Sequence, residues 1–321
     1  MTARLLEAVP NFSEGRDPDV VREIVAAMRA TGADVLDWSA DPDHHRSVVT
    51  VVGRPDAVEE AAVAGARVAV DRIDLRKHRG VHPRIGALDV LPFVPLMGLT
   101  MADARSSAHR VGARIASDLG VPIFFYAEAS EPPGRTLPEL RRGGFEALAD
   151  AWPVDRRPDL LPPRWQHAGA HPSAGASCVG ARQLLLAWNV VIRGLTLDAA
   201  SAVAEALRET GGGFQGVRTL ALALPIRGAL QISMNLERLA ETAPMTVFRK
   251  LEELVERAGG SIVETEVIGM APDQLVFPAA AERLRLAEGT ADRLLSRRLL
   301  EHVGGAAFGP HQPATPDARD A

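Results

Sequence analysis

Histidine and arginine gather where glycine and proline break the chain, in Lys77-His78-Arg79-Gly80-Val81-His82-Pro83-Arg84-Ile85-Gly86-Ala87-Leu88-Asp89. Gly80 and Pro83 interrupt regular structure and Gly86 permits a close backbone approach, so the segment reads as a shaped loop. Loops held by a rigid scaffold are where binding and catalytic groups concentrate. An imidazole, with an unperturbed pKa near 6.5, can take and return a proton near neutral pH, as any transfer between two nitrogens requires. His82 is the candidate for that role. The plainer alternative is a surface histidine hydrogen-bonded to its own loop.

A second cluster, Asp41-Pro42-Asp43-His44-His45-Arg46, falls between two expected strands. Together with the first it raises the possibility of a metal site built from His44, His45, His78 and His82. Against this, zinc and iron sites favour two histidines one helical turn apart, and Gly80 and Pro83 spoil helical presentation of His78 and His82. No metal is therefore expected. The third segment, Gly169 to Arg182, is rich in small residues. It could lay a flat ligand against backbone and offer free N–H groups to a carboxylate, or it could be a flexible linker. The Gly211-Gly212-Gly213 run is followed by no Lys-Ser or Lys-Thr pair, so it is not a phosphate loop, and no serine nucleophile elbow is present.

The elements that must hold these residues follow from periodicity. A strand is expected over 5–10, a helix over 18–30 capped by Asp17, strands over 33–38 and 47–52, a helix opened by Pro55, and a strand over 89–95. A helix over 100–119 and a strand over 122–126 extend this unit. After a proline- and arginine-dense connector with local helical turns over 137–149, the order repeats: strand 184–192, helix 197–209, strands 217–224 and 229–235, helix 244–257, strand 261–268. The β-α-β-β-α-β grammar thus appears twice. It predicts an α/β (α+β) fold of two ferredoxin-like subdomains with packed sheets and outer helices. The expected limits are 1–175 for the first subdomain with its connector, 176–303 for the second, and 304–321 for a disordered tail.

Composition bounds the partners. The chain of 321 residues has 46% apolar and 24% charged residues, a net charge of −5 and only 4% aromatics. That is ordinary for a soluble globular protein of two cores and gives no footprint for nucleic acid. Its apolar runs are too short to span a bilayer, and no signal peptide is recognisable, which points to the cytoplasm and away from a membrane. One cysteine, Cys178, excludes an internal disulfide and reads as a small buried hydrophobe.

Four stretches resemble the glutamate formiminotransferase family, which in animals is fused to a cyclodeaminase domain absent here. They are Val9-Pro10-Asn11-Phe12-Ser13-Glu14-Gly15, Arg46 to Gly53, His82 to Val90, and Gly180-Ala181-Arg182. Echoes continue through Tyr126 to Ala129, Gln231 to Asn235 and Ile268-Gly269. The resemblance implies a homodimer of two-subdomain chains, a folate tunnel between subdomains, formiminoglutamate as donor and tetrahydrofolate as co-substrate. It implies His82 as general acid and base. Asn11, Asp37, His45, Arg46, Arg84, Gly86, His171, Gly175, Gly180 and Arg182 are the expected substrate and folate residues. Arg46, Arg84 and Arg182 suit carboxylates, because a guanidinium fork matches a carboxylate bidentately. The chain departs from the family pattern at Ser39 (Asp), His45 (Asn), Val81 (Glu) and Ala174 (Trp). With no carboxylate at Val81, the His82 imidazole is left less well oriented unless another acid such as Asp37 or Glu14 takes that role. Two other readings stay open: a non-catalytic folate or small-anion binder, and a paralogous enzyme acting on another formimino or formyl compound.

Overall fold

The computed structural model describes residues 4–286 and residue 294; the expected tail over 304–321 lies outside the described residues. The first expected strand is divided into β1 (Leu6–Ala8) and β2 (Asn11–Phe12), with Pro10, which has no N–H to give a ladder, at the break. Then come α1 (Pro18–Arg29), β3 (Asp34–Asp41), β4 (Arg46–Gly53), α2 (Pro55–Arg72), β5 (Leu88–Pro95), α3 (Met101–Leu119) and β6 (Ile123–Ala127). Asp17 caps α1 by accepting from the Asp19 and Val20 amides, and Thr100 and Asp103 form a capping box on α3. The short α4 (Leu137–Leu140) lies in the connector, followed by β7 (Ser177–Ala181). The second unit comprises β8 (Leu186–Arg193), α5 (Leu197–Leu207), β9 (Val217–Leu224), β10 (Ala229–Leu236), α6 (Pro244–Arg257), β11 (Ser261–Ile268) and α7 (Asp273–Leu284).

Among the described residues the strands form two sheets, of seven and four strands. In the first, β3, β4, the β1/β2 pair and β5 lie side by side; in the second the order is β9, β10, β8, β11. Counted along each unit both orders are 2-3-1-4, the ferredoxin-like arrangement, with neighbours antiparallel. The first sheet continues beyond β5 with β7 and β6, both parallel additions. Strand β7 differs from the sequence expectation. The boundary at 175/176 assigned it to the second unit, yet it is hydrogen-bonded between β5 and β6 of the first. Every residue of Ser177–Ala181 is buried, and a fully buried parallel strand carries no alternating pattern. Helix α7 was likewise not expected.

Helices α1, α2 and α3 bury Val20, Ile24, Met28, Ala62, Ala66, Ala108 and Ile115 against one face of the first sheet. Helices α5 and α6 bury Val203, Leu207, Val247 and Leu251 against one face of the second. The opposite faces meet each other across a cleft. No helix among the described residues is long and apolar enough to cross a membrane.

Candidate active site

The cleft contains a cavity of about 190 Å³ whose walls come from both sheets: Glu7, Asn11 and Arg46 from the first, Asn189, Ser233 and Asn235 from the second. The loop carrying His82 closes one side, and α4 contributes Leu137 and, just beyond it, Arg141.

The loop is tied down at several points. Val81 donates its amide to the Asp43 carbonyl (3.2 Å), Ala87 to Ala174 (2.8 Å), and the Arg84 carbonyl accepts from Phe145 (2.9 Å). Gly80 sits against the His44-His45 turn, where a Cβ would come within 2.4 Å of the His44 carbonyl. His82 lines the cavity, and its Nδ1 lies 2.8 Å from the Pro83 carbonyl. A carbonyl only accepts, so Nδ1 carries the hydrogen and Nε2 keeps its lone pair. Orientation of His82 therefore comes from its neighbour's backbone, and neither Asp37 nor Glu14 supplies it. Glu14 accepts the Gly15, Arg16 and Asp17 amides instead. Burial lowers the His82 pKa well below the ordinary histidine value, and the Arg46 and Arg141 charges lower it further against the pull of Asp89. The ring is neutral at pH 7.

Beneath it lies a buried charge cluster. Asp89, fully buried, accepts from Arg46 Nη1 (2.6 Å), from Arg141, and from the Ile85 amide (2.8 Å). Burial would raise the Asp89 pKa, but the two guanidinium groups and the amide hold the carboxyl well below the usual carboxylate range. Arg46 also donates through Nε to Asn11 Oδ1 (3.1 Å), while Asn11 Nδ2 donates to the Val9 carbonyl (2.7 Å). Two cations on one anion leave a net positive wall.

The paired histidines of the β3–β4 turn part company. His45 adopts φ 50°, a left-handed conformation that reverses the chain, so that His44 enters the cavity lining. His45 instead packs on His78, centroids 4.2 Å apart, with Nε2 3.8 Å from Glu14. Burial lowers the pKa of His44 and of His45, and takes His78 down to about 4. Among the described residues no group of three or more His, Cys, Asp or Glu is arranged to hold a metal ion.

Asn11, Arg46, His82 and Arg182 are thus brought together in the cavity lining. Asp37, His45, Arg84, Gly86, His171, Gly175 and Gly180 are not. Arg84 forms a two-pronged pair with Glu146 (3.0 and 2.7 Å), which occupies the fork expected to hold a substrate carboxylate. The stretch from His171 to Gly175 is a closed turn, not a free backbone surface. His171 and Gly175 exchange both backbone hydrogen bonds (2.9 Å each), and His171 Nδ1 accepts from Ser173 and Ala174. Gly175 (φ 72°) and Gly86 bridge backbone to backbone. Gly180 makes room for Tyr126, whose ring a Cβ there would meet at 2.4 Å, and Tyr126 lines the cavity.

Sequence reasoning missed Glu7, His44, Arg141 and the second-unit polar residues Asn189, Ser233 and Asn235 as wall residues. For Glu7 the signal was present, a charge inside the apolar run Leu5 to Val9. For Asn189 it was an amide inside the apolar run Leu184 to Ile192.

The chain matches the model described as formiminotransferase domain, N-terminal subdomain, over residues 5–182. It is 34% identical over 286 residues to a glutamate formimidoyltransferase of Streptococcus pyogenes, covering 88% of this chain and 94% of that one. It is 36% identical over 300 residues to a glutamate formimidoyltransferase of Thermoplasma acidophilum, covering 92% and 97%. A formimidoyltransferase-cyclodeaminase of Rattus norvegicus is 36% identical over 292 residues, 87% of this chain but only 52% of that enzyme, so the chain spans about half of the bifunctional relative. A cleft between twin sheets, an imidazole with one nitrogen fixed and the other free, and likeness along nearly the whole of two single-function relatives lead to one family: the chain belongs to the glutamate formimidoyltransferases.

Proposed function

We propose that this protein transfers the formimino group of N-formimino-L-glutamate to N5 of tetrahydrofolate, with His82 as general base and then general acid. The observation that carries the reading is the state of His82: in the cavity wall, Nδ1 engaged by the Pro83 carbonyl, Nε2 with a free lone pair. N5 attacks the formimino carbon and a C–N bond forms. The N5 proton passes to Nε2 of His82, which returns it to the glutamate nitrogen as the second C–N bond breaks. The products are 5-formiminotetrahydrofolate and glutamate, and the imidazole ends as it began. The surroundings that lower its pKa serve both steps, since they keep the ring neutral at first and make the transient imidazolium a willing donor.

Arg141 is the stronger partner for the glutamate carboxylates. It lines the cavity, and of its five N–H donors Nη2 goes to Asp89 while Nε has no partner among the described residues, whereas the Arg46 fork is committed to both Asp89 and Asn11. A cavity of about 190 Å³ is below the roughly 300–1,000 Å³ typical for drug-sized ligands. It suits the pteridine head and reacting centre, with the folate tail running out along the cleft.

The test is His82→Ala with both substrates. Loss of general acid–base help lowers kcat on the order of 10²–10⁴-fold, while calorimetric affinity for tetrahydrofolate stays within about threefold. In the parent protein the acid limb of kcat/KM falls below pH 6.5, because a lowered pKa leaves the base form populated to more acidic pH. A parent protein that consumes no tetrahydrofolate in the presence of formiminoglutamate sinks the reading. Equal small effects of His82→Ala on turnover and affinity favour a folate binder instead.

A further inference from the structure

On strand β1, Leu6 and Ala8 face the helices and belong to the core, while Glu7 between them points the other way, into the cleft. Its cross-strand neighbours are Val52 and Val94. Glu7 is only 5% exposed, and its Oε2 has no hydrogen-bond partner among the described residues. Burial raises its pKa, with the Arg182 charge opposing. A valine there would pack better, and an orphaned buried carboxyl oxygen is destabilising by the full desolvation of that group. A strand that breaks its own apolar pattern at a cavity wall is where a ligand contact is expected.

Glu7 and His82 both line this cavity and stand among different charges. His82 feels Arg46, Arg141 and Asp89, the group that Asn11 joins through Arg46. Glu7 feels Arg182. From Glu7 to Asn11 along the extended chain is four residues, roughly 13 Å at about 3.3 Å per residue. That is the scale of a bicyclic ring with one hydrogen bond at each end. An acceptor with no donor of its own calls for paired N–H groups, and one edge of a 2-amino-4-oxopteridine presents two of them side by side, N3–H and the 2-amino group.

We infer that Glu7 is a specificity-determining residue that receives the N3–H and 2-amino edge of the pteridine, setting N5 against His82. The inference rests on the folate-acceptor reading above and adds to it the group that selects the pterin head. Formiminoglutamate also carries N–H donors on its amidine, but those belong beside His82, where the chemistry occurs.

The experiment compares tetrahydrofolate with 2-desamino-2-methyltetrahydrofolate, which lacks the amino donor, in the parent protein and in Glu7→Gln. The parent uses tetrahydrofolate better by roughly 10- to 100-fold in kcat/KM, the range for hydrogen bonds to a charged group and for loss of a substrate donor in a polar site. Glu7→Gln, the same size, raises the tetrahydrofolate KM by about tenfold or more and brings the two acceptors within about threefold of each other. The formiminoglutamate KM changes by less than about twofold, since that substrate binds beside His82. A parent protein that uses both acceptors equally, a variant that keeps the full preference, or a change confined to the formiminoglutamate KM each overturns the inference while leaving the transferase reading intact. No turnover with either acceptor in the parent overturns that reading, and this inference with it.

Discussion

At the scale of single residues, the wall of the cavity depends on Asp89. Its carboxylate is the counter-charge for two buried guanidinium groups and receives the amide of Ile85 on the His82 loop. Removing one partner of a buried ion cluster leaves uncompensated charge, typically a loss of 3–5 kcal/mol. Asp89→Asn keeps the shape but turns an amide N–H toward Arg46 or Arg141. The expected loss is about 3 kcal/mol or more in urea melts at pH 7. Because the folded pKa is depressed, the stability linked to ionisation is present above the unfolded carboxyl value and is lost only as pH falls through the folded one. The penalty is therefore equal at pH 6 and pH 8. A loss under about 1 kcal/mol, or one that vanishes at pH 6, contradicts this account of the cluster.

At the scale of elements, the loop and the turn that support His82 meet through two glycines. A Cβ on Gly86 would lie 2.2 Å from the Ala176 carbonyl and 2.5 Å from that of Leu88, all backbone atoms that cannot move aside. Gly86→Ala is expected to destabilise by about 2 kcal/mol or more through strain and to lower kcat more than either KM, because the imidazole is displaced while the rest of the wall stays. A variant with parent-like melting and turnover would show that the loop tolerates the shift. Much at this scale was legible. The helix Pro244–Arg257 and the strands Val217–Leu224 and Ser261–Ile268 fall at their expected bounds, since caps, turns and alternation mark them locally. Strand β7 was not, because Ser177–Ala181 is small, short and buried throughout. The candidate site divides in the same way. The loop of His82 announces itself through glycine, proline and charge, whereas Arg141 lies in a connector dense in arginine, and Glu7 and Asn189 gain meaning only when sheet register decides which face they share. Arg84 and Glu146, 62 residues apart, pair through tertiary contact that no local pattern displays.

At the scale of the whole molecule, the cleft needs the second unit held against the first, and one buried side chain does much of this. Asp43, 2% exposed, accepts the backbone amides of Ile226 (2.7 Å) and Arg227 (3.2 Å) from the β9–β10 turn, while its own carbonyl receives Val81 from the His82 loop. Arg227 adds an ion pair with Asp41 at 3.0 Å. The residue that fastens the two units is thus hydrogen-bonded to the neighbour of His82. Hydrogen bonds to a charged acceptor contribute about 1.5–3 kcal/mol, enough to move a closed cleft from dominant to minor, and a ligand that binds only the closed form then binds more weakly by the fraction closed. Asp43→Ala should accordingly raise the KM values for formiminoglutamate and tetrahydrofolate together, by similar factors of about tenfold or more. Amide exchange at Ile226 and Arg227 should accelerate in the same variant, while strand amides of β4 and β8 keep their protection. Asp43→Asn, which retains one acceptor oxygen, should recover part of both effects. If exchange at Ile226 and Arg227 is unchanged, or only one substrate is affected, the two units are held by their apolar faces and Asp43 is not the fastening.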